Sequence, residues 1–363
     1  MSSNKILIVT SEFPPQPGGI GNHSLNLAVQ LQKNGFEVGV IADTRSNDGL
    51  AEQQFDVMLP FEVYRTKRHS IAIITYFKRI LIFKKSAKKY AILLASGKFP
   101  LWLVGFFPFK NKKLKLAVIH GSEVNLKGFY KNYINKALLK FDKVVAVSNF
   151  TKSLVASLKL KNIYVIPNGL VIDEFNIIIN KQELKGFPKL ITVGALSQRK
   201  GQHNVIEKLP ELIKIYPKIH YHMVGILSEK ENLIKLANNL NVTNYITFHG
   251  KVSHKNLISF LYESDIFVML SEETIKGDVE GFGISLLEAN YMSSPTIGSK
   301  NCGIEDAINN YKSGILIDYK DTEAFKKALE EILQNKEEYV KNAKIWAIEH
   351  SWETIIKRYL KLI

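Results

Sequence analysis

The stretch EGFGISLLE, residues 280–288, combines a glycine turn, the start of an apolar helical pattern and a carboxylate at each end. Glycines let a ligand approach the backbone, and the free N–H groups at a helix start suit an anion such as a phosphate. If Glu280 lies at the mouth of this helix and Glu288 two turns into it, the two residues are about 12 Å apart along the helix axis. That is too far for a hydrolytic acid–base pair, whose carboxyls lie roughly 5–9.5 Å apart. The stretch is therefore either a buried helix start or a pair of polar anchors around an extended, phosphate-bearing ligand.

On both sides of this stretch, short β-rich runs alternate with longer amphipathic runs. Most of the β-rich runs are continuously apolar, which is typical of parallel strands buried on both faces. The predicted strands are Ile6–Val9, Val38–Ile41, Ala91–Ala95, Leu116–Ile119, Lys143–Val147, Tyr164–Ile166, Leu190–Val193, His220–Val224, Ile246–Phe248, Ile266–Leu270, Ser294–Ile297 and Ile315–Ile317. The predicted helices include Asn22–Asn34, Ile134–Lys140, Glu229–Asn239, His254–Glu263 and Thr322–Gln334. This β–α order predicts an α/β fold with two Rossmann-like, doubly wound domains facing a central cleft, where ligands bind at the carboxyl ends of the strands.

The domain boundary is predicted near residues 168–188, because a polar segment follows Pro167-Asn168-Gly169 and a new strand starts at Leu190. The predicted domains are residues 1–170 and residues 186–349. A C-terminal helix of about residues 350–363 is expected to pack back on the first domain.

The excess positive charge is concentrated in one segment. The net charge is +15, and residues 61–120 contain fourteen Lys and Arg against a single acid, Glu62. Aromatic and aliphatic residues lie among these cations around Tyr76 and Phe77. A basic, aromatic-rich amphipathic helix favours an anionic membrane surface. The sequence shows no recognisable nucleic-acid motif, so nucleic acid is not expected as a partner. The alternative is a solvated helix that packs its apolar face on its own sheet.

Cysteine usage and hydropathy indicate a cytosolic protein. Cys302 is the single cysteine, so no intrachain disulfide can form. No run approaches the roughly 18–20 apolar residues of a membrane span. The sequence has no zinc-type Cys/His spacing, no Asp-x-Asp pair for Mg²⁺ and no G-x-S-x-G elbow, so no metal, cofactor or nucleophilic serine is expected.

Three further loops could contact a ligand. Gly18 and Gly19 follow the first strand and precede a helix, so they form either a phosphate contact or a plain turn. The loop from Gly194 to Gly201 carries the cations Arg199 and Lys200, which suit a diphosphate, although a solvated surface loop has the same composition. His120 ends a predicted strand and is either a polar contact or proton carrier in a cleft, or a structural histidine.

These signals together resemble the retaining GT-B glycosyltransferases of family 4, over almost the whole chain. The stretch from Glu280 to Glu288 is similar to the E-x7-E element of that family. Gly18-Gly19 resembles its N-terminal glycine loop, and the loop from Gly194 to Gly201 resembles its G-R-L-x-x-x-K-G phosphate loop. Residues 165–169, VIPNG, resemble the I-P-N-G run at its domain junction.

The resemblance implies a role for each of these residues. The first domain would bind the acceptor and the second the nucleotide sugar. Lys200 would hold the donor diphosphate and Glu288 the ribose hydroxyls. Glu280 would bind the transferred sugar, helped by the backbone of Gly281, Phe282, Gly283 and Ile284. Gly18 and Gly19 would approach the phosphates, and His120 would contact the sugar or assist near the acceptor.

One position departs from the family pattern. Ala195 stands where the phosphate loop usually carries an arginine. The loss of one charge-assisted contact weakens diphosphate binding by roughly 1.5–3 kcal/mol. Arg199, next to Lys200, is a candidate to replace that arginine.

The sequence therefore predicts a metal-independent retaining glycosyltransferase, cytoplasmic and peripheral on the inner face of the cell membrane. Its donor would be a UDP- or GDP-sugar and its acceptor a glycan or a polyprenyl-linked sugar, in the synthesis of surface polysaccharide, lipopolysaccharide or glycolipid. The main alternative is a non-catalytic nucleotide-sugar-binding protein of the same fold.

Overall fold

The computed structural model describes residues 4–177 and 183–363. The chain forms two compact units, Met1–Gly169 with Trp352–Ile363, and Leu170–Ser351. Each unit is built on one parallel sheet. The second unit begins at Leu170, so the described part of the polar segment after Gly169, which we expected to link two domains, belongs to it.

The first unit contains a seven-stranded sheet in which every pair of neighbouring strands is parallel. Its strands are β1 (Lys5–Thr10), β2 (Glu37–Thr44), β3 (Glu62–Lys67), β4 (Ile92–Ser96), β5 (Leu114–Ile119), β6 (Lys143–Ala146) and β7 (Ile163–Val165). Its helices before the crossover are α1 (Gly19–Lys33), α2 (Leu50–Asp56), α3 (Ala72–Ser86), α4 (Lys98–Phe106), α5 (Phe129–Leu138) and α6 (Asn149–Ser153). The spatial order β3-β2-β1-β4-β5-β6-β7 reverses between β1 and β4, and ligands of such sheets bind beside that reversal.

The second unit repeats this arrangement with six strands. They are β8 (Lys189–Val193), β9 (His220–Val224), β10 (Ile246–Gly250), β11 (Ile266–Met269), β12 (Thr296–Ser299) and β13 (Gly314–Ile317). Its helices are α7 (Gln202–Ile206), α8 (Leu209–Ile215), α9 (Lys230–Asn239), α10 (His254–Glu263), α11 (Ile284–Tyr291), α12 (Thr322–Gln334) and α13 (Lys336–Glu349). The order β10-β9-β8-β11-β12-β13 reverses between β8 and β11. The prediction of two Rossmann-like parallel-sheet units is confirmed.

The last helix, α14 (Trp352–Leu360), belongs to the first unit. Trp352 is buried and packs on Gly169, where a Cβ atom would lie 2.6 Å from the indole ring. Tyr359, also on α14, places its hydroxyl 3.1 Å from Nε2 of the buried His23. The glycine of the I-P-N-G run thus makes room for the tryptophan that begins the last helix.

The helix begins directly after the EGFG turn, where the sequence predicts it. Gly283 has φ 81° and precedes α11, whose first residue is Ile284. Glu288 therefore lies about one turn into the helix, and Glu280 lies outside it. The separation of about 12 Å, which assumed that Glu288 lies two turns into the helix, does not apply.

Candidate active site

Glu280 lies at the centre of an ion-pair cluster in the second unit. Its carboxylate contacts Arg199 Nη1 and lies 2.8 Å from Lys200 Nζ. Arg199 Nε is also 3.2 Å from an oxygen of Asp278. Burial would by itself raise the pKa of Glu280, but the charges of Lys200 and Arg199, together with the backbone N–H of Gly283, hold it below its usual value. Glu280 is thus a buried anion between two cations.

The loop that carries these cations is fixed at both ends by glycines. Gly194 follows β8 with φ 146°, and a Cβ atom there would lie 3.1 Å from Lys200 Cε. Gly201 has φ 71°, and a Cβ atom there would overlap the carbonyl oxygen of Leu270. Both backbone conformations favour glycine, and Gly201 in addition has no space for a side chain. The loop therefore places Lys200 across the carboxyl end of the sheet.

The EGFG turn is packed tightly against the segment that follows β12. The N–H of Gly303 donates to the carbonyl oxygen of Glu280 at 2.9 Å, and a Cβ atom on Gly303 would overlap the carbonyl of Gly281. The ring of Phe282 is buried, 2% exposed. Of the backbone groups expected to contact a donor, the Gly283 N–H already donates to Glu280. The ring of Phe282 is part of the core. Only the backbone of Phe282 is therefore available to contact a ligand.

Glu288 differs from Glu280 in its surroundings. It lies one turn after Ile284 on α11 and is partly exposed. Its carboxylate makes no hydrogen bond to the residues that the structure describes. Burial raises the pKa of Glu288 to about 7, while nearby His254 and Lys200 act in the opposite direction. A carboxyl group without a protein partner can bind the hydroxyls of a ligand.

The glycine loop of the first unit leaves space at one position. Helix α1 begins at Gly19, and its N-cap residue Gly18 provides no side-chain hydrogen bond. A Cβ atom on Gly19 would have no other atom within 4 Å, whereas one on Gly18 would lie 2.5 Å from Glu12 Oε2. Gly21, the last glycine of the same run, would bring a Cβ atom to 3.0 Å from the backbone of Phe13. Close approach by a ligand is therefore possible at Gly19.

His120 follows β5 and is held by three groups. Its Nε2 lies 2.9 Å from Ser96 Oγ, and its backbone N–H donates to the carboxylate of Glu123. The ring of His23 meets it edge-on, 5.0 Å between centroids. Burial lowers the pKa of His120 to about 4, so this imidazole is neutral at pH 7 and can act as a hydrogen-bond partner but not as a cation.

The sequence alone did not indicate a functional role for Glu123 or His23. Glu123 belongs to the HGSE run that includes His120, and its position three residues after a histidine at a strand end was the available signal. His23 lies inside an ordinary helical pattern, where the sequence shows nothing of its neighbours. It contacts His120, which follows β5, and Tyr359 on α14, and both are distant in the chain.

Helix α3 turns apolar side chains toward solvent. Its exposed large side chains are Ile73, Ile74, Tyr76, Phe77, Ile80 and Leu81. The helix is attached to the unit through the buried Phe83 and through Arg79, which is 9% exposed and pairs with Asp43. The apolar face of α3 is therefore exposed to solvent and is not packed on its own sheet, contrary to the alternative raised by the sequence.

The cations of this segment divide into two groups. Arg65 pairs with Asp56, and both Arg68 and Arg79 pair with Asp43. Arg65 and Arg79 have largely buried side chains, so not all of the fourteen cations in residues 61–120 face solvent. The remaining lysines at the end of α3 and just after it are exposed, and these are Lys84, Lys85, Lys88 and Lys89.

Neither a membrane-crossing helix nor a metal cluster is found in the described part of the chain. None of its helices combines the length and the apolar character that a bilayer span requires. It also contains no group of three or more His, Cys, Asp or Glu side chains placed to hold a metal ion.

Two family models match adjoining stretches of the chain. Residues 17–174 match the model described as Glycosyltransferase Family 4, and residues 174–346 match the model described as Glycosyl transferases group 1. The chain belongs to these glycosyltransferases and has the GT-B fold.

Known proteins are similar to this chain, in sequence or in structure, over nearly its full length. A GDP-mannose-dependent alpha-(1-6)-phosphatidylinositol monomannoside mannosyltransferase of Mycobacterium tuberculosis is 24% identical, covering 93% of this chain and 91% of that protein. Among solved structures, sucrose-phosphate synthase from Thermosynechococcus elongatus matches with a TM-score of 0.79 at 17% identity, covering 99% of this chain and 98% of that one. The Anabaena protein HepE, solved with UDP and glucose, matches with a TM-score of 0.77 at 17% identity, covering 98% of each chain.

Proposed function

We propose that this glycosyltransferase moves a sugar from a UDP- or GDP-sugar to a hydroxyl of a glycan or lipid-linked acceptor, with retention of anomeric configuration. The observation that carries the proposal is the cluster of Arg199, Lys200 and Glu280 beside the start of α11. Two cations in a glycine loop and a helix N-terminus together provide the positive field that a diphosphate requires.

The donor diphosphate and Glu280 compete for the same cations. In the proposed complex, phosphate oxygens take Lys200 and Arg199, and the Glu280 carboxylate then accepts hydrogen bonds from the hydroxyls of the transferred sugar. Glu288, which lacks a hydrogen-bond partner in the described chain, accepts the ribose hydroxyls. Since Arg199 already lies beside Lys200, it is well placed to replace the arginine that the family carries at Ala195.

Retention needs no enzyme nucleophile in this proposal. The leaving diphosphate accepts the proton of the attacking hydroxyl on the same face of the sugar, while Lys200 and Arg199 stabilise the negative charge that develops on it. Because these two side chains supply the positive charge, we expect no metal requirement. For the first unit, we assign Gly18 and Gly19 to the phosphates. We assign His120 to the sugar or the acceptor; its neutral ring is supported by its lowered pKa.

The relatives support this choice of substrates. The mycobacterial relative is named for GDP-mannose and a phosphatidylinositol mannoside, and HepE is solved with UDP-glucose as well as with UDP and glucose. A UDP- or GDP-sugar donor and a glycolipid or glycan acceptor are therefore proposed for this chain too, in the synthesis of surface polysaccharide, lipopolysaccharide or glycolipid.

We further propose that the protein is cytoplasmic and binds an anionic membrane surface peripherally. Exposed apolar side chains on α3, such as Phe77, are followed by four exposed lysines. This combination suits the boundary between lipid headgroups and acyl chains, where apolar groups insert and cations pair with phosphates.

A thermal-shift screen against UDP-, GDP- and ADP-sugars tests the donor assignment. A ligand that binds the folded protein raises its melting temperature with concentration. We expect a saturable rise with one UDP- or GDP-sugar, and its loss in Lys200→Ala. Equal melting temperatures with and without every nucleotide sugar would contradict the proposal.

A further inference from the structure

Asp278 lies two residues before Glu280, in a turn to which no role was assigned above. The N–H of Asp278 donates to Thr274 Oγ1 at 3.0 Å, and the N–H of Thr274 donates to the carbonyl oxygen of Asp278 at 3.0 Å. The N–H of Gly277 donates to the carbonyl oxygen of Thr274 at 2.8 Å. These bonds fix the backbone of Asp278 without using its carboxylate.

The backbone of the loop that carries Arg199 is also fixed. Gln202 is buried, and its amide group accepts the N–H of Ser197 at 3.2 Å and donates to the carbonyl oxygen of Ala195 at 3.3 Å. The N–H of Lys200 donates to the carbonyl oxygen of Ser197 at 3.0 Å, which closes a single turn of 3-10 helix around Arg199. Since the backbone is held in this way, the direction of the Arg199 side chain depends on its own contacts.

Two carboxylates contact the guanidinium of Arg199 at different nitrogens. Its Nη1 contacts Glu280, and its Nε lies 3.2 Å from an oxygen of Asp278. A guanidinium carries five N–H donors in a rigid planar fork. A contact at Nε therefore orients the plane of the group and leaves donors on the terminal nitrogens for another anion. The two contacts can be broken independently.

The two carboxylates have different surroundings. The side chain of Glu280 is 11% exposed and also pairs with Lys200, whereas the side chain of Asp278 is 50% exposed. In the proposed transfer, Glu280 leaves both cations when the diphosphate binds. Arg199 then loses a buried partner, and a long side chain without partners regains rotamer freedom. The contact between Arg199 and Asp278 does not involve Glu280 and can persist.

We propose that Asp278 is a positioning residue for Arg199. It holds the Nε side of the guanidinium, so that the terminal nitrogens remain available to the donor diphosphate after Glu280 has turned to the sugar. The identity of the anion rests on the proposed function; the orientation of Arg199 by Asp278 does not. A purely repulsive role has the opposite sign, because a second carboxylate beside the cations disfavours an anion. Removal of the Asp278 carboxylate therefore weakens nucleotide binding in the first case and strengthens it in the second.

The orientation of Arg199 can be measured by heteronuclear NMR without a nucleotide. The background is Glu280→Ala, which removes the competing carboxylate and imitates its departure. The Nε–H signal of Arg199, assigned as the one that disappears in Arg199→Lys, should report an ordered side chain in this background. Adding Asp278→Ala should make that side chain mobile. Adding Asp278→Asn instead should retain most of the order, because asparagine keeps an oxygen that accepts from Nε.

A double-mutant cycle measures the consequence for nucleotide binding in the full chain. Calorimetric titration with UDP and GDP should show about tenfold weaker binding in Asp278→Ala, and Asp278→Asn should restore most of the loss. In the Arg199→Ala background, Asp278→Ala should change the affinity by less than about twofold, since the group that Asp278 positions is absent. The melting temperature of Asp278→Ala should change by less than about 3 °C, because an exposed ion pair contributes little to stability.

Glu231→Ala is the matched control, since it removes an exposed carboxylate elsewhere in the second unit, and it should bind the nucleotides as the wild type does. Unchanged or tighter binding in Asp278→Ala, or an equal loss with and without Arg199, would overturn the positioning role. So would an equally ordered Arg199 in Glu280→Ala with and without Asp278. If the wild type binds neither UDP nor GDP, the proposed function is rejected, and the NMR comparison by itself decides whether Asp278 orients Arg199.

Discussion

Lys200 and Glu280 form an ion pair, with Nζ 2.8 Å from a carboxylate oxygen, at the carboxyl end of the second parallel sheet. Glu280 also contacts Arg199, so a single buried carboxylate occupies both cations of the phosphate loop. A diphosphate that binds these cations must compete with Glu280. Donor binding and the release of Glu280 toward the sugar are therefore coupled in our account.

The two glutamates should respond oppositely to substitution. Glu280→Ala removes the competitor for Lys200 and the contact to the sugar, so nucleotide binding should persist while turnover falls by about 100-fold. Glu288→Ala should weaken nucleotide binding by about tenfold, with a smaller loss of turnover at saturating donor. Calorimetric titration with UDP and GDP, combined with steady-state kinetics, measures both effects. Equal losses of binding and turnover in both variants would refute this division of roles.

Arg199→Ala tests whether this residue replaces the arginine missing at Ala195. Loss of one charge-assisted contact to the diphosphate should lower kcat/KM for the donor by roughly 10- to 100-fold. Arg358→Ala, which removes an exposed arginine on α14, is the matched control and should behave as the wild type. Unchanged donor KM and kcat in Arg199→Ala would show that Arg199 has no such role.

Much of the fold could be predicted because its strands are buried on both faces. Ile6, Leu7 and Ile8 of β1 are fully buried, and their continuous apolar run identified the strand. The helix His254–Glu263 was predicted with its observed bounds. Strand β3 was missed because its sequence, EVYRTK, is mostly polar. In the described sheet it is an edge strand that pairs with β2, and it contributes little to the core.

The candidate site was less predictable, since it depends on partners that are distant in the chain. The sequence identified Glu280 and Lys200, but it did not reveal that they pair with each other across eighty residues. Nor could it identify Arg79 as a buried ion-pair partner of Asp43, because a basic run gives no indication of which cation faces inward. Within the described residues, Glu123 Oε2 and Trp102 Nε1 are buried without a hydrogen-bond partner, which depends on packing that the sequence does not show.

Glu288→Gln should change how stability depends on pH. Burial raises the pKa of Glu288 from 4.5 to about 7, so the folded protein holds this proton more tightly than the unfolded chain does. The associated stability is fully present below about pH 4.5 and is lost as the pH rises through about 7. Glutamine cannot ionise, so relative to wild type the variant should gain up to about 3 kcal/mol between pH 4.5 and pH 8.

Denaturant unfolding at several pH values measures this difference. Glu231→Gln, at an exposed position, is the control and should follow the wild type throughout. A constant difference in the free energy of unfolding between Glu288→Gln and wild type across this range would contradict the raised pKa.

Two glycine-to-alanine substitutions test different roles: Gly19→Ala tests whether a ligand approaches the backbone, and Gly201→Ala tests whether the backbone itself requires glycine. Gly19→Ala places a methyl group in open space, so stability should change by less than about 0.5 kcal/mol while the donor KM rises. Gly201→Ala would overlap the carbonyl of Leu270 at φ 71° and should destabilise the unit by more than about 4 kcal/mol. Thermal unfolding and donor kinetics check both; an unchanged donor KM in Gly19→Ala would remove Gly19 from the donor site.

Membrane binding should depend on the lysines around the end of α3. Replacing Lys84, Lys85, Lys88 and Lys89 by glutamine should weaken sedimentation with anionic liposomes, and high salt should weaken it in the wild type. The control replaces four exposed lysines of the second unit with the same change in net charge, Lys255, Lys312, Lys327 and Lys341. Equal loss in both quadruple variants, or binding that salt does not affect, would argue against a specific membrane face.

The central claim is retaining transfer from a nucleotide sugar, and the anomer released on donor hydrolysis tests it without knowledge of the acceptor. Proton NMR would follow the wild type with UDP-glucose and GDP-mannose, whose sugars are α-linked. We predict that the α-anomer appears first from the preferred donor, that chelation of divalent metals leaves the rate unchanged, and that Glu280→Ala slows release by about 100-fold. Initial release of the β-anomer, or equal release by wild type and Glu280→Ala, would contradict the account.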